Sequence, residues 1–423
     1  MNLADLLEAL ADAVGARDAV IQGGRRLSWS ELDRRAWGVA TALVDAGLGR
    51  GARVALYLRN CPEYLEGHVG ALKASLVPVN TNYRYVDDEL VHLWNDADAA
   101  AVIFHGAFAD VVERIRGRVP LVRSWLWVDD DSGPCPTWAR PYEDAICTPR
   151  FEPPWPRSYD DLVFIYTGGT TGLPKGVMWD QDLYLRRFAR ETGDLGSLAA
   201  RRVAAMQRKA LPAAPLMHGT GSATAIGTLM EAGTVVLLPS ARFDAAELWN
   251  EVERHGVGSV TIVGDAFARP MVDALDAEPD RWDLGGLRRV VSAGAMFSAP
   301  VKARLLDHLP HLVLRDQLGS SENALSGMRV HRGAADGTAT FDLAPGVRVL
   351  DDDGHDVEAG SGQVGVLAAP GGAVGYHKDP EKTARTWKVI DGQRYTVAGD
   401  YATVDADGTL RLLGRGRLHQ HRR

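Results

Sequence analysis

Apolar and polar positions along this chain follow two periods, helical and alternating, and the switches between them predict the first elements. Apolar residues recur at helical spacing from Leu3 to Val14, which predicts an amphipathic helix. Ala19-Val-Ile-Gln22 and Arg25-Arg-Leu-Ser28 flank Gly23-Gly24 and predict a hairpin. Ser28 and Glu31 have capping-box spacing; Leu32, Ala36, Val39 and Leu43 then follow one helical face until Gly47 stops it. Arg53-Val-Ala-Leu-Tyr57 and Ala100-Val-Ile-Phe104 read as strands, with a helix from Tyr64 to Ala74 between them. The Pro- and Trp-rich piece from Gly133 to Pro156 reads as an irregular connection.

An apolar run, Asp161-Leu-Val-Phe-Ile-Tyr166, then predicts a buried strand, and Thr234-Val-Val-Leu-Leu238, Ser259-Val-Thr-Ile-Val263 and Arg289-Val-Val-Ser-Ala-Gly-Ala295 predict three more. Strands alternating with helices imply an α/β protein with a parallel sheet. From about Phe341 the runs shorten, glycine becomes frequent and Asp405-Ala-Asp-Gly408 marks a turn, which suggests a small β-barrel.

At 423 residues the chain is too long for one simple core, so two or three subdomains are expected. A net charge of −8 gives no reason to expect a nucleic-acid partner. The three cysteines, Cys61, Cys135 and Cys147, are odd in number and widely spaced, which suits a reducing compartment and no metal cluster. The N-terminus carries acids where a signal peptide needs bases, and no run of about eighteen apolar residues occurs. The expectation is a cytoplasmic protein without an integral membrane segment; whether it forms a homo-oligomer is left open.

The densest chemistry lies in Tyr166-Thr-Gly-Gly-Thr-Thr-Gly-Leu-Pro-Lys-Gly176, directly after a strand. Gly168, Gly169 and Gly172 permit close backbone approach and positive φ, Thr167, Thr170 and Thr171 can donate to phosphate oxygens, and Lys175 supplies charge. The Gly-Lys-Ser/Thr ending of a Walker loop is absent, as is the Gly-x-Gly-x-x-Gly dinucleotide fingerprint. By composition alone the segment is as readily a surface loop.

The full string resembles the phosphate loop of the adenylate-forming superfamily, which includes acyl-CoA synthetases, adenylation domains and luciferases. Further motifs follow in that family's order. Leu211-Pro-Ala-Ala-Pro-Leu-Met-His-Gly-Thr-Gly221 resembles the segment beside the acyl pocket, where the resemblance places His218 and Gly219, with Val263 and Gly264 of a later turn. A lone histidine outside such a context is more often structural. Ala293 and Gly294 correspond to backbone that meets adenine, and Leu314-Arg-Asp-Gln-Leu-Gly-Ser-Ser-Glu322 to the motif whose hydroxyl, here Ser321, contacts the α-phosphate and whose Glu322 binds Mg²⁺. Alone, Ser-Ser-Glu would read as a helix cap with an acid in the first turn. Leu318 stands where many relatives carry an aromatic residue over the purine. Tyr395-Thr-Val-Ala-Gly-Asp-Tyr401 and the run ending at Arg415 match the closing motifs, giving Asp400 to the ribose hydroxyls and Arg415 to ribose or phosphate, with Ala398 in place of the usual Thr.

The resemblance implies the large N-terminal domain of the adenylate-forming fold over 1–416: a first α/β subdomain over 1–160, a second with the phosphate loop over 161–340, and a β-barrel over 341–416. It looks most like actinobacterial fatty-acyl and steroid-side-chain CoA ligases. The implied activity is AMP-forming ligation of a fatty or steroid-derived carboxylate, with ATP, Mg²⁺ and CoA, and with Thr167, Lys175 and Glu322 as the catalytic set. The family's C-terminal α+β domain is expected to be absent and turnover impaired, since only eight residues follow Arg415. Removing the first two nucleotides from one GC-rich spelling of the family hinge Ser-Val-Ser-Ile-Asn-Thr-Gly-Gly-Glu yields Arg-Leu-His-Gln-His-Arg-Arg and a stop, so the tail 417–423 is expected to be a frameshift product, with a genuine basic tail for an acidic partner as the competing reading. A carrier-protein adenylating partner and a non-catalytic nucleotide- or acyl-binding remnant remain as alternatives.

Overall fold

A computed structural model of the chain describes residues 2–148, 150, 153–169, 172–188, 194–205, 207–323, 326–332 and 339–415. They form two compact units, the described residues of 2–243 with 255–257, and those of 244–254 with 258–415.

The first unit holds a sheet of seven strands in the order Gly172–Asp180, Leu162–Gly169, Val77–Asn80, Arg53–Tyr57, Ala99–His105, Ser124–Val128 and Arg140–Pro141. All neighbours are parallel except the antiparallel pair Leu162–Gly169 and Gly172–Asp180. Ala99–His105 is buried at every position, as befits a central parallel strand covered on both faces. One core includes Tyr57, Trp94, Phe104, Phe164 and Tyr166, with Tyr57 edge-on to Trp94 at 5.6 Å. A second sheet in this unit runs Arg25–Ser28, Asp18–Gln22, Thr234–Leu237 and Lys209–Pro212.

Local sequence explains the helices. Leu3–Val14 starts where Asn2 accepts from the Ala4 amide, and it buries Leu3, Leu6, Leu7, Leu10 and Val14. The Ser28/Glu31 capping box forms as its spacing predicts and opens Trp29–Asp45. Pro62–Lys73, with Pro62 in the first turn, is buried on all sides. Its Lys73 is closed off from solvent between Glu8 (2.7 Å) and Asp33 (2.6 Å) and lies 4.8 Å from the Trp37 ring centroid. Among the described residues no helix is long and apolar enough to cross a membrane.

The second unit opens with parallel strands Ser259–Ile262, Arg289–Ala293 and Val313–Leu318. It continues without a break into antiparallel strands Gly327–Arg332, Thr340–Leu343, Leu410–Arg415, Asp400–Val404 and Gly365–Pro370. Phe341, Val349, Leu367, Ala402 and Leu410 form a small core of their own there.

Three expectations change. The stretch after Gly133 is not wholly irregular: Arg140–Pro141 adds an edge strand and Tyr142–Ile146 a helix, whose Tyr142 hydroxyl donates to Glu66 at 2.8 Å. Tertiary burial of that tyrosine, invisible to local composition, explains the helix. Divisions at 160 and 340 do not match the compact units: Val79 pairs with Phe164 in one sheet, and Met328 pairs with Asp342 in another. The glycine-rich loop is largely a hairpin, with Gly168 in extended strand rather than at positive φ. The ladder pairs Thr167 with Lys175 and Gly169 with Gly172, with an irregularity between, and close approach is required at Gly176, where a β-carbon would lie 2.8 Å from the Tyr166 ring.

Candidate functional site

In the first unit the hairpin register sets Thr167 opposite Lys175 and Tyr166 opposite Gly176. A hydroxyl and an ammonium therefore leave adjacent strands side by side, a pair suited to phosphate oxygens. Gly168 is exposed, and a β-carbon there would find only the Tyr85 hydroxyl, at 3.6 Å. The helix Asp87–Asp96 holds both arms: the Tyr166 hydroxyl donates to Asp96 Oδ2 at 2.6 Å, and His92 Nε2 lies 3.3 Å from the Pro174 carbonyl. Burial first, and then the bond to Asp96, push the Tyr166 phenol far above its ordinary value, so it stays a donor. Gly169 and Gly172 face each other in the ladder; Thr170 and Thr171 lie outside the described residues.

His218 closes the turn between Lys209–Pro212 and the helix Gly219–Met230 as the helix N-cap residue. Its carbonyl accepts from the Ser222 amide at 3.0 Å. Desolvation first, and then the charge of Arg84, hold the imidazole below its ordinary value, although its surface reaches solvent. A neutral imidazole beside first-turn amides keeps one ring N–H to donate to an anion and adds no charge of its own. A β-carbon at Gly219 would meet nothing within 4 Å, so that backbone is open to a ligand.

In the second unit the Val263-Gly264-Asp265 turn is tied to Ser292, Met296 and Ser298, which flank Ala293-Gly294. Gly264 has φ 57° and ψ −156°, and a β-carbon on it would lie 2.3 Å from the Met296 carbonyl oxygen. Its amide donates to Ser292 Oγ at 3.0 Å; the Asp265 amide donates to Met296 O at 2.9 Å. Asp265 Oδ1 accepts from the Ser298 amide at 2.9 Å. Ala293 is half-buried and Gly294, at φ 82°, is exposed, so backbone there is presented rather than covered.

Glu322 follows the strand Val313–Leu318 and is only 6% exposed. Its Oε1 accepts from the Tyr376 hydroxyl at 2.7 Å, and its backbone carbonyl from the Ala373 amide at 2.9 Å. Asn323 Nδ2 donates to Pro370 O at 3.1 Å, so the 370–376 segment grips the motif along its length. Ser321 beside it is half-buried, and Leu318 packs on the Phe341 core. Asp400 stands directly opposite Arg415 across two paired strands, which unites the two residues expected at the ribose.

Sequence reasoning gave no individual role to Asn60, Asn80, Asp96 or Tyr376, although Asn80 and Tyr376 lie in stretches, 78–85 and 375–383, that resemble family segments. Each holds backbone or a site side chain, and the residues they hold are remote in sequence (|i−j| of 156 for Asn60 to Leu216). An amide at the carboxyl end of a buried strand was the available signal for Asn80.

A threonine- and lysine-bearing hairpin in the first unit and a buried acid, Glu322, in the second are compatible with a nucleotide-dependent enzyme of α/β type. Residues 7–377 match the AMP-binding enzyme family, and the chain belongs to it. It is 36% identical to the Mycobacterium marinum medium/long-chain-fatty-acid–CoA/3-oxocholest-4-en-26-oate–CoA ligase, over 98% of this chain and 78% of that protein. It is 35% identical to the 3-oxocholest-4-en-26-oate–CoA ligase of Rhodococcus rhodochrous, with the same coverage of 98% and 78%. In fold it is similar to an anthranilate CoA ligase in complex with anthranoyl-AMP, at TM-score 0.82 and 23% identity over 98% of this chain and 78% of that one. A benzoate CoA ligase from Burkholderia xenovorans LB400 gives 0.79 and 21%, covering 98% and 80%.

Proposed function

We propose that the chain is an AMP-forming acyl-CoA synthetase acting on fatty or steroid-side-chain carboxylates. The observation that carries this reading is the 35–36% identity, over 98% of the chain, to two ligases named for such acids. In the reaction a carboxylate oxygen attacks the α-phosphorus of ATP, the bond to the bridging oxygen breaks and pyrophosphate leaves. The thiol of CoA then displaces AMP from the acyl carbon.

The residues present suit those substrates. Thr167 and Lys175, with Thr170, Thr171 and the backbone of Gly168, Gly169 and Gly172, would hold the departing phosphates and offset their charge. Ala293 and Gly294 offer uncovered backbone to adenine, Asp400 and Arg415 the ribose contacts, and Ser321 a hydroxyl to the α-phosphate. His218, Gly219, Val263 and Gly264 would receive the carboxylate end of the acid. Glu322 is a hard oxygen donor fixed by Tyr376, which fits Mg²⁺. When bound, that ion neutralises charge gathering on the phosphates.

Isotopic pyrophosphate exchange into ATP tests the reading. Medium- and long-chain acids, or 3-oxocholestenoate, should support exchange that Lys175→Ala and Glu322→Ala suppress. A panel of such acids giving no exchange, while aryl or amino acids do, would replace it.

A further inference from the structure

Asn80 ends the strand Val77–Asn80, and its side-chain amide joins two segments that lie far away in sequence within the same unit. Its Oδ1 accepts from the Tyr166 amide at 2.7 Å while its Nδ2 donates to the Tyr166 carbonyl at 2.9 Å. The strand pairs with Leu162–Gly169 at Val79 and Phe164, so the side chain extends that pairing where the backbone leaves it. The same Nδ2 donates to the Met217 carbonyl at 2.6 Å. A flipped amide would set its oxygen against two carbonyls, so these three bonds fix one orientation.

Tyr166 immediately precedes Thr167, and Met217 immediately precedes His218. One NH₂ group thus lies one residue from the phosphate hairpin and one residue from the acid-side histidine. The turn 213–218 is neither helix nor strand, and its backbone depends on side chains for partners. Asn60 supplies others: its Nδ2 donates to Ala214 O at 3.2 Å and its Oδ1 accepts from the Leu216 amide at 2.7 Å. The hydrogen bonds of its side chain go to this turn alone, so Asn60 serves as a control that does not bridge.

We propose that Asn80 is a positioning residue that couples the phosphate hairpin to the His218 turn, so that nucleotide and carboxylic acid tighten each other's binding. This rests on the reading of those segments given above. A ligand that draws the Tyr166 carbonyl or the Met217 carbonyl into place orders the shared amide, and the second ligand then meets a turn already set. By linkage the effect is reciprocal, each ligand changing the other's affinity by one common factor.

The test uses the full chain with α,β-methylene-ATP·Mg²⁺ and decanoate, each titrated alone and in the presence of the other. The wild type should show a mutual tightening of about fivefold or more. Asn80→Ala and Asn80→Asp should bring that factor close to one, Asp because it keeps the acceptor for the Tyr166 amide and loses both donors. Asn60→Ala should keep the factor. Hydrogen exchange, which needs no ligand, should accelerate at the Tyr166 amide in Asn80→Ala but not in Asn80→Asp or Asn60→Ala. Should the wild type bind both probes independently, or Asn80→Asp keep the factor, the coupling is refuted while the proposed function stands. Should the folded wild type bind neither probe, the functional reading falls and takes the coupling with it.

Discussion

The Tyr376 hydroxyl donates to Glu322 Oε1 at 2.7 Å, and both residues are buried. Tyr376 is itself set by the edge of Trp387, with ring centroids 5.1 Å apart, and by its amide, which donates to Thr383 Oγ1 at 2.9 Å. A carboxylate so placed has little rotational freedom, and a cation held by it would be held at one point.

Tyr376→Phe removes one oxygen and leaves the ring packing in place. A hydrogen bond to a charged group is worth about 1.5–3 kcal/mol, so Mg²⁺-dependent ATP affinity should fall by roughly tenfold or more. Isothermal titration at several magnesium concentrations reads this directly. An unchanged magnesium dependence would show that Tyr376 only packs.

Gly264→Ala combines two penalties, a backbone region open to glycine alone and a β-carbon 2.3 Å from Met296 O. Its cost should reach about 3 kcal/mol or more. Gly354→Ala, at φ 85° with nothing within 4 Å, carries conformational strain only and should cost about 1 kcal/mol. Urea denaturation of the two variants compares them; equal losses would remove the Met296 contact from the account.

Much of the fold was legible because its signals are local. The Leu3–Val14 helix, the Ser28 capping box and the strands around Val54, Ile103 and Val290 needed only periodicity and caps. The Thr/Gly/Lys string and the Ser-Ser-Glu turn were legible as motifs. What escaped was long-range. Tyr142–Ile146 forms a helix because Tyr142 reaches Glu66, and Asn80 matters because it reaches Tyr166 and Met217. The glycine run concealed a ladder, in which Thr167 pairs with Lys175 while Asp96 and His92 of a helix distant in sequence contact the two arms.

If the acid is lipid-like, each methylene buried in its pocket adds about 0.8 kcal/mol, close to fourfold in affinity. A series from acetate to dodecanoate in pyrophosphate exchange should therefore show KM falling steeply with length until the pocket is full. A flat series, with acetate as good as decanoate, would rule out a lipid substrate.

The last prediction concerns pH. His68 lies inside the fully buried helix Pro62–Lys73, and burial lowers its pKa from 6.5 to about 4. Its folded value is below its unfolded value, so between these limits the unfolded chain binds the extra proton and acid favours unfolding. The stabilising neutral state is complete above pH 6.5 and is lost progressively as pH falls toward 4, by roughly 3 kcal/mol over the window. Replacing the ring by a side chain that does not titrate, as in His68→Gln, should lower stability at pH 7.5 yet flatten its decline between pH 6.5 and 4. Urea midpoints of wild type and variant across that range provide the measurement, and parallel curves would show that His68 does not titrate with folding.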